Sequence, residues 1–300
     1  MDSDNRSAAQ RATEIYAQTV FTLAELISSG STRRQVAAMV RHGTLVHVRR
    51  DRYALASTPR EVVEAVRIGG GLSCLSLLTL LGVFVHRCAE IHVLVTPGTS
   101  RLRMPTERAV RLHWTVGPGR QPRLHVARFT DAVAHAVRCQ PPRAALAPLD
   151  SVLHHGLMSL EQLATVFARL PARYGPLLAL VDPSAASGPE TYMRLILRAM
   201  GVQFETQVHL EGVGYVDFVV DGWLVIECDS REFHQGWDKQ VADRARDIAA
   251  AGLGYVTVRP LAKDILGDQR AVRQALEQII VVLGPRLGSS ARAGFSRKVR

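Results

Sequence analysis

Near the N-terminus, apolar positions recur every three or four residues in short blocks, each opened by a hydroxyl side chain. Residues 10–20 fit a first helix. Thr22-Leu-Ala-Glu25 then forms a capping box, in which the Thr oxygen takes a backbone N–H and the Glu carboxylate returns to the Thr N–H, so a second helix opens here and stops at Gly30. A second box, Thr32-Arg-Arg-Gln35, opens a third helix with Val36, Met39 and Val40 facing inward. Arg33, Ala37 and Arg41 line its opposite face. From Thr44 the period falls to two: residues 44–55 alternate and turn at the charged stretch 49–52, as a β-hairpin does.

Two short helices followed by a hairpin is the layout of a winged helix, which lays one helix in the major groove of double-stranded DNA and its wing against flanking phosphate. On that expectation Arg33, Arg34 and Arg41 face the groove, and Arg49, Arg50 and Arg52 face phosphate. Residues 58–143 then mix patterns: Gly69-Gly-Gly71, a helical apolar run at 72–81, a strand-like Ile91-His-Val-Leu-Val95 and an Arg-rich stretch at 101–128. Residues 144–180 read as helices, one of them opened by Ser159-Leu-Glu-Gln162. Asp182-Pro-Ser-Ala-Ala-Ser-Gly-Pro189 is turn-rich and marks a boundary. The expected organisation is a winged helix at 1–57, a mixed domain at 58–143, a helical bridge at 144–186, an α/β domain at 187–284 and a basic disordered tail at 285–300.

From Ser187 the pattern runs helix, strand, hairpin, helix, strand, helix. Pro189 suits a helix start and Glu190 suits its first turn, with Leu195, Ile196 and Met200 as the buried stripe and Gly201 as the stop. Strands are expected at 205–210, 214–220 and 223–229. Loop length between the last two decides the chemistry. A two-residue Asp221-Gly222 loop would pair Asp217 with Ile226 and set Asp217 on the face opposite Glu227 and Asp229. A three-residue loop, Val220-Asp221-Gly222, pairs Val219 with Trp223 and Asp217 with Val225, and gathers Asp217, Glu227 and Asp229 on one face. That register, or an equivalent bulge, is the expected one, because it also points Phe218, Leu224 and Ile226 together into the core. Three converging carboxylates raise one another's pKa unless a cation lies among them. Oxygen ligands on a partly open site select Mg²⁺ or Mn²⁺, which suits phosphodiester hydrolysis.

Charge sharpens this division. The chain carries 37 Lys and Arg against 27 Asp and Glu, a net +10. Residues 1–60 and 61–186 hold +4 and +5, residues 187–284 hold −4, and the last sixteen residues carry five basic groups and no acid. A polyanion would be met by the front half and the tail. Cys74, Cys88, Cys139 and Cys228 lack the paired close spacing of a zinc site or a disulfide framework, so they read as reduced, mostly buried thiols. His86 and His92 lie near Cys88, but no second close pair completes four ligands. No apolar run approaches the ~18 residues of a membrane span, and the polar, acidic start lacks a secretory pattern, so a cytoplasmic location is expected.

The stretch from Phe21 to Leu55 resembles the N-terminal domain of AbiEi-type antitoxins, which implies operator binding and a cognate toxin as partner. Asp51-Arg52-Tyr53 stands where that family turns its wing through a Gly. The region after it is similar to the linking region of AbiEi-like proteins, without a defining motif. Val216-Asp-Phe218, Val225-Ile-Glu-Cys-Asp-Ser-Arg-Glu-Phe-His234, Asp243-Arg-Ala-Arg-Asp247 and Gly254-Tyr-Val-Thr-Val-Arg259 together resemble endonuclease domains related to very-short-patch-repair nucleases, of the PD-(D/E)XK superfamily. The resemblance implies a restriction-endonuclease-like sheet flanked by helices, with Asp217 and Glu227 as metal ligands, Glu190 as the helix-borne acid and Asp229 in the place of the usual lysine. His234 then either acts as a general base and phosphate contact or is a structural histidine. Ser230 replaces the usual Gly. Arg244 is open between clamping phosphate and pairing with an acid of its own helix, Arg246 is expected to make such a pair, and Arg259 is a backbone-contact candidate. Two functions follow: a Mg²⁺-dependent DNA endonuclease, or an antitoxin-like repressor with a silent nuclease fold.

Overall fold

Hydroxyl caps set the helix starts where their spacing predicts. The computed structural model describes residues 7–114, 125–229 and 237–295, and the chain divides into one unit spanning Met1–Leu180 and another spanning Val181–Arg300. In the first unit, α1 (Ala8–Tyr16) leads through β1 (Val20–Phe21) to α2 (Leu23–Ser28), α3 (Arg33–Arg41), β2 (Leu45–Arg49) and β3 (Arg52–Leu55). Helix α1 starts ahead of the expected residue 10 because Ser7 and Gln10 form a box of their own. In the Thr22 box the Glu25 N–H donates to Thr22 Oγ1 at 3.1 Å and the Thr22 N–H to Glu25 Oε2 at 2.8 Å. The Thr32–Gln35 box closes in the same way. Such caps contribute about 1 kcal/mol each.

Val36 is buried and Val40 packs beside it against Leu26 and Leu45, but Met39 is 38% exposed. The inward stripe of α3 is therefore narrower than expected. β1, β3 and β2 form an antiparallel sheet in that order. Asp51 turns the hairpin with φ 57°, a conformation open to Asp because its short side chain bonds locally. Its carboxylate accepts the Leu23 N–H at 2.9 Å, which ties the hairpin tip to the start of α2.

The unit continues through α4 (Arg60–Ile68), β4 (Gly71–Leu72), α5 (Cys74–Leu80), β5 (Ile91–Val95), β6 (Val110–Trp114) and α6 (Phe129–Cys139), then α7 (Pro142–His154), α8 (Leu160–Ala168), a 3-10 turn (Ala172–Tyr174) and α9 (Gly175–Leu178). β4 pairs antiparallel with β5, and β5 pairs parallel with β6, in the order β4-β5-β6. The apolar run at 72–81 is thus part strand, because Leu72 pairs with Val93 before α5 begins. A Cβ at Gly70 would stand 2.2 Å from the Leu94 carbonyl oxygen, so only glycine passes this close to β5. Every residue of β5 is buried, as in a strand covered on both faces, and His92 is its one polar member.

The second unit orders α10 (Gly188–Met200), β7 (Phe204–Leu210), β8 (Gly214–Val220), β9 (Leu224–Ile226), α11 (Trp237–Gly252), β10 (Val256–Val258), α12 (Ala262–Gly267) and α13 (Gln269–Phe295). β7, β8 and β9 form an antiparallel meander, and α11 crosses over so that β10 lies parallel beside β9. Ser187 caps α10 and Gly201 ends it with φ 71°. Glu190 through Leu197 are all buried, and the helix packs against α12 and α13.

The hairpin register is shifted by two residues from the expected one. Val220 pairs with Leu224 and Val219 with Val225, so the three-residue loop is Asp221-Gly222-Trp223. Asp221 and Gly222 are both left-handed, at φ 49° and 76°, and the Trp223 N–H closes the turn on Val220 O at 3.1 Å. Trp223 is the added residue, and it is buried. The register carries Asp217 across from Glu227 rather than Val225, and the parity that puts them on one face is kept. Phe218, Leu224 and Ile226 fill one side of the sheet. Val219 and Val225 pack with Leu210, Val213, Val216 and Ala250 on the other. Burying Phe218 alone contributes about 2–3 kcal/mol. The expected disordered tail at 285–300 is not seen over its described part, since α13 runs through Pro285 to Phe295. Among the described residues no helix is long and apolar enough to cross a membrane.

Candidate functional site

Two clusters of ligand-type side chains stand out, one in each unit. In the second unit, the hairpin and the N-terminal turn of α10 bring Glu190, Asp217 and Glu227 to a common region, all largely buried. Gln207 joins the first two: its Nε2 donates to Glu190 Oε2 at 3.0 Å and to Asp217 Oδ1 at 3.3 Å. It does so from a left-handed backbone, φ 51°, inside β7. Such a conformation costs on the order of 1 kcal/mol in a non-glycine residue and is held by its surroundings. Glu190 Oε2 also accepts the Ala186 N–H at 2.9 Å, and Asp217 Oδ2 accepts the Cys228 N–H at 2.7 Å.

Burial raises the pKa of all three acids; Asp217 raises Glu190 and Glu227 further. At Asp217 the Cys228 N–H and the Gln207 amide work against the rise. At Glu227 two guanidinium groups do. Arg246 of α11 donates to Glu227 Oε1 at 3.0 Å, and Arg259, just past β10, approaches the same oxygen at 3.5 Å. Arg246 also donates to the carbonyls of Val213, at 3.1 Å, and Tyr215. Its partners are thus a strand carboxylate and the β7–β8 turn, not an acid of its own helix as expected. Asp247, the acid next to it, pairs with Arg259 at 2.7 Å. Arg259, expected to reach a DNA backbone, is half-buried in this pair.

Asp229 lies two residues beyond Glu227, where its N–H bonds Pro260 O at 3.3 Å and its carbonyl accepts the Ala262 N–H at 2.9 Å. Strand alternation places it on the same face as Glu227. Arg244 is exposed on α11. His234 and Ser230 lie outside the described residues. Asp182, Ser184, Glu190, Arg194, Gln207 and Asp217 line one small, closely packed gap. Gln207 carried no sequence signal, since a polar residue in an alternating strand reads as solvent-facing.

The second cluster corrects the sequence reading of the cysteines. In the first unit Cys74, His92, His113 and Cys139 each offer a ligand atom, and these atoms all lie within 4.8 Å of one another. Among the described residues this is the set of three or more His, Cys, Asp or Glu side chains that closes so tightly. It is a Cys₂His₂ cluster able to coordinate a metal ion. His92 lies on β5 and His113 on β6. The parallel register pairs His92 with Arg111, two residues before His113, so both imidazoles share a face. Cys74 begins α5 and Cys139 ends α6, and these helices pack on each other. Close-spaced pairs were the wrong search, because four elements each give one ligand.

His92 Nδ1 stands 3.0 Å from His113 Nε2 and 3.8 Å from Cys139 Sγ. His113 stacks on His135 at 4.7 Å, and His135 Nδ1 is 3.3 Å from Ser73 Oγ. Burial, then the His113 ring, pushes His135 down to about 4. Burial and then Cys139 push the Cys74 thiol up, while hydrogen bonding from Cys74 and the two histidines pulls Cys139 down.

The arginines of α3, Arg33, Arg34 and Arg41, are exposed. Arg50 and Arg52 are exposed at the hairpin tip, with Arg52 3.4 Å from Asp51. Arg49 differs, as it turns inward over Gly69, and burial followed by Arg103 and Arg52 lowers its pKa. All three line a cleft with Thr22, Gly69 and Thr96. No protein-family model matches this chain, and no curated protein matches it.

Proposed function

We propose that this chain binds double-stranded DNA through its N-terminal helices and hairpin and hydrolyses phosphodiesters in its second unit with Mg²⁺ or Mn²⁺. The observation that carries this reading is that Glu190, in the first turn of α10, and Asp217, on β8, share the Gln207 amide, with Glu227 just past β9, and that burial raises the pKa of all three. The resemblance to PD-(D/E)XK domains implies a central sheet flanked by helices, and the four-stranded sheet of the second unit, with helices before, within and after it in sequence, agrees with that expectation. The donor set fits a hard cation, being all carboxylate oxygen in a region whose own charge it would relieve. Such an ion, when bound, supplies Lewis acidity toward a phosphate oxygen and a water of lowered pKa.

The chain's own groups do the positioning. The Ala186 N–H and the Gln207 amide fix one oxygen of Glu190, and the Gln207 amide and the Cys228 N–H fix one oxygen of Asp217 apiece, so the lone pairs not used in these bonds are the ones a cation would take. Arg246 and Arg259 hold Glu227 and are placed to pass a donor to a phosphate oxygen. Asp229, in the lysine position of the resemblance, is an acceptor only, so it adds a ligand and no proton donor. Exposed Arg33, Arg34 and Arg41 supply the attraction to the duplex.

One observation favours an AbiEi-like repressor with a cognate toxin instead: Glu227 Oε1 already carries two guanidinium contacts, as a structural ion pair would. Supercoiled plasmid incubated with the full chain and Mg²⁺ or Mn²⁺ separates the two. Nicking is expected, abolished by chelator and reduced at least about 100-fold in Asp217→Ala and Glu227→Ala, the scale of losing a transition-state charge stabiliser. An inert wild type that still shifts DNA in a gel overturns the nuclease reading.

A further inference from the structure

The Cys₂His₂ cluster of the first unit lies apart in the sequence from every residue of the nuclease reading, and its chemistry is different. We propose that Cys74 Sγ, His92 Nδ1, His113 Nε2 and Cys139 Sγ form a closed tetrahedral Zn²⁺ site that clamps α5, β5, β6 and α6 together and takes no part in hydrolysis. Thiolate and imidazole are the donors of a borderline-soft cation, whereas Mg²⁺ and Mn²⁺ prefer oxygen. Zn–S bonds of about 2.3 Å and Zn–N bonds of about 2.0–2.1 Å place tetrahedral ligand atoms about 3.3–3.8 Å apart. The His92–His113 distance of 3.0 Å and the His92–Cys139 distance of 3.8 Å need only tenths of an ångström of adjustment.

Three further observations point to a built site. Cys74 takes φ 50°, a strained conformation for a residue with a Cβ, at the position that offers its sulfur to the cluster. The His135 ring, itself 3.3 Å from Ser73 Oγ, stacks on His113, and the backbone N–H of His92 donates to Ser76 Oγ at 2.9 Å, which fixes the strand that carries the His92 ring. Cys88 shows the contrast. It lies 3.5 Å from Ser76 Oγ and 3.5 Å from the Glu90 carbonyl, close by yet outside the set. Four protein ligands fill a tetrahedron and leave no position for water or substrate, which makes the site structural. On binding, the two thiols release their protons to solvent and the imidazoles bind neutral.

The test uses the full chain, purified under reducing conditions without chelator. One zinc per chain is expected, and after exchange with Co²⁺ the visible bands of a tetrahedral ion with thiolate-to-cobalt charge transfer. Cys74→Ser and Cys139→Ser should each weaken the charge-transfer band and lower zinc content. Cys88→Ser should match wild type, and Asp217→Ala should keep its zinc whether or not it cuts DNA. A weak octahedral Co²⁺ spectrum without a thiolate band, or a Cys74–Cys139 disulfide in the reduced preparation, would overturn the assignment. The wild-type spectrum decides the matter even where a variant fails to fold, and plasmid nicking reports separately on the second unit.

Discussion

The carboxylate site of the second unit and the Cys/His cluster of the first solve opposite problems. Buried carboxylates carry charge at neutral pH, so the fold must compensate them, and it does so with Gln207, Arg246 and Arg259. A thiol and an imidazole are neutral in their ordinary forms and can be stored in a core at little cost. The difference teaches why one site is announced by its neighbours and the other is not. Charge demands partners, and the closely spaced acids stand out in the sequence even though the partners the fold gives them do not.

The sharpest way to separate the sites is to remove metal. A strong chelator should lower the stability of α5, β5, β6 and α6 by about 4 kcal/mol, the worth of a ligand held a thousandfold above its dissociation constant. The sheet of the second unit should change little. Hydrogen exchange followed by peptide mass spectrometry reads both at once, and equal loss of protection in the two sheets would break the contrast.

A smaller effect is expected from Arg246→Ala. It removes a partner of the buried Glu227 along with donors to two carbonyls, and should cost about 2 kcal/mol in unfolding free energy, less than a fully buried pair because Arg246 is 34% exposed. Removing a competing cation should also tighten Mg²⁺ binding several-fold, as titration calorimetry would show. Weaker Mg²⁺ binding would mean that the arginine holds Glu227 in place for the ion rather than competing with it.

The smallest effect tests the proposed DNA contact of the first unit. Arg33→Ala and Arg41→Ala are each expected to lower affinity a few-fold and to reduce the slope of log affinity against log salt by about 1, measured by fluorescence anisotropy. An unchanged slope in both would move the DNA contact to another surface.

Much of the scaffold in both units was legible because it is local. Capping boxes at Thr22, Thr32 and Ser159, the αL stop at Gly201 and the Asp221-Gly222 turn act within a few residues, and each forms where its spacing predicts. Even the two-residue difference in register left Asp217 and Glu227 on a common face, since strand parity survives a shift of two in the pairing. What was not legible is what the partners of those acids would be. Arg246 was expected to pair within its helix, yet the crossover of α11 aims it at Glu227.

By itself, then, the sequence determined the capped helix starts at Thr22, Thr32 and Ser159, the parity of the β8–β9 ribbon and the concentration of acids in the second unit, because short-range hydrogen bonds and side-chain periodicity encode these directly. Only tertiary structure decided that Cys74, His92, His113 and Cys139 meet, that Gln207 stands between two carboxylates and that Arg49 turns inward. Those contacts join elements far apart along the chain, and no local rule couples residues that meet only when a parallel strand pair and two packed helices close around them.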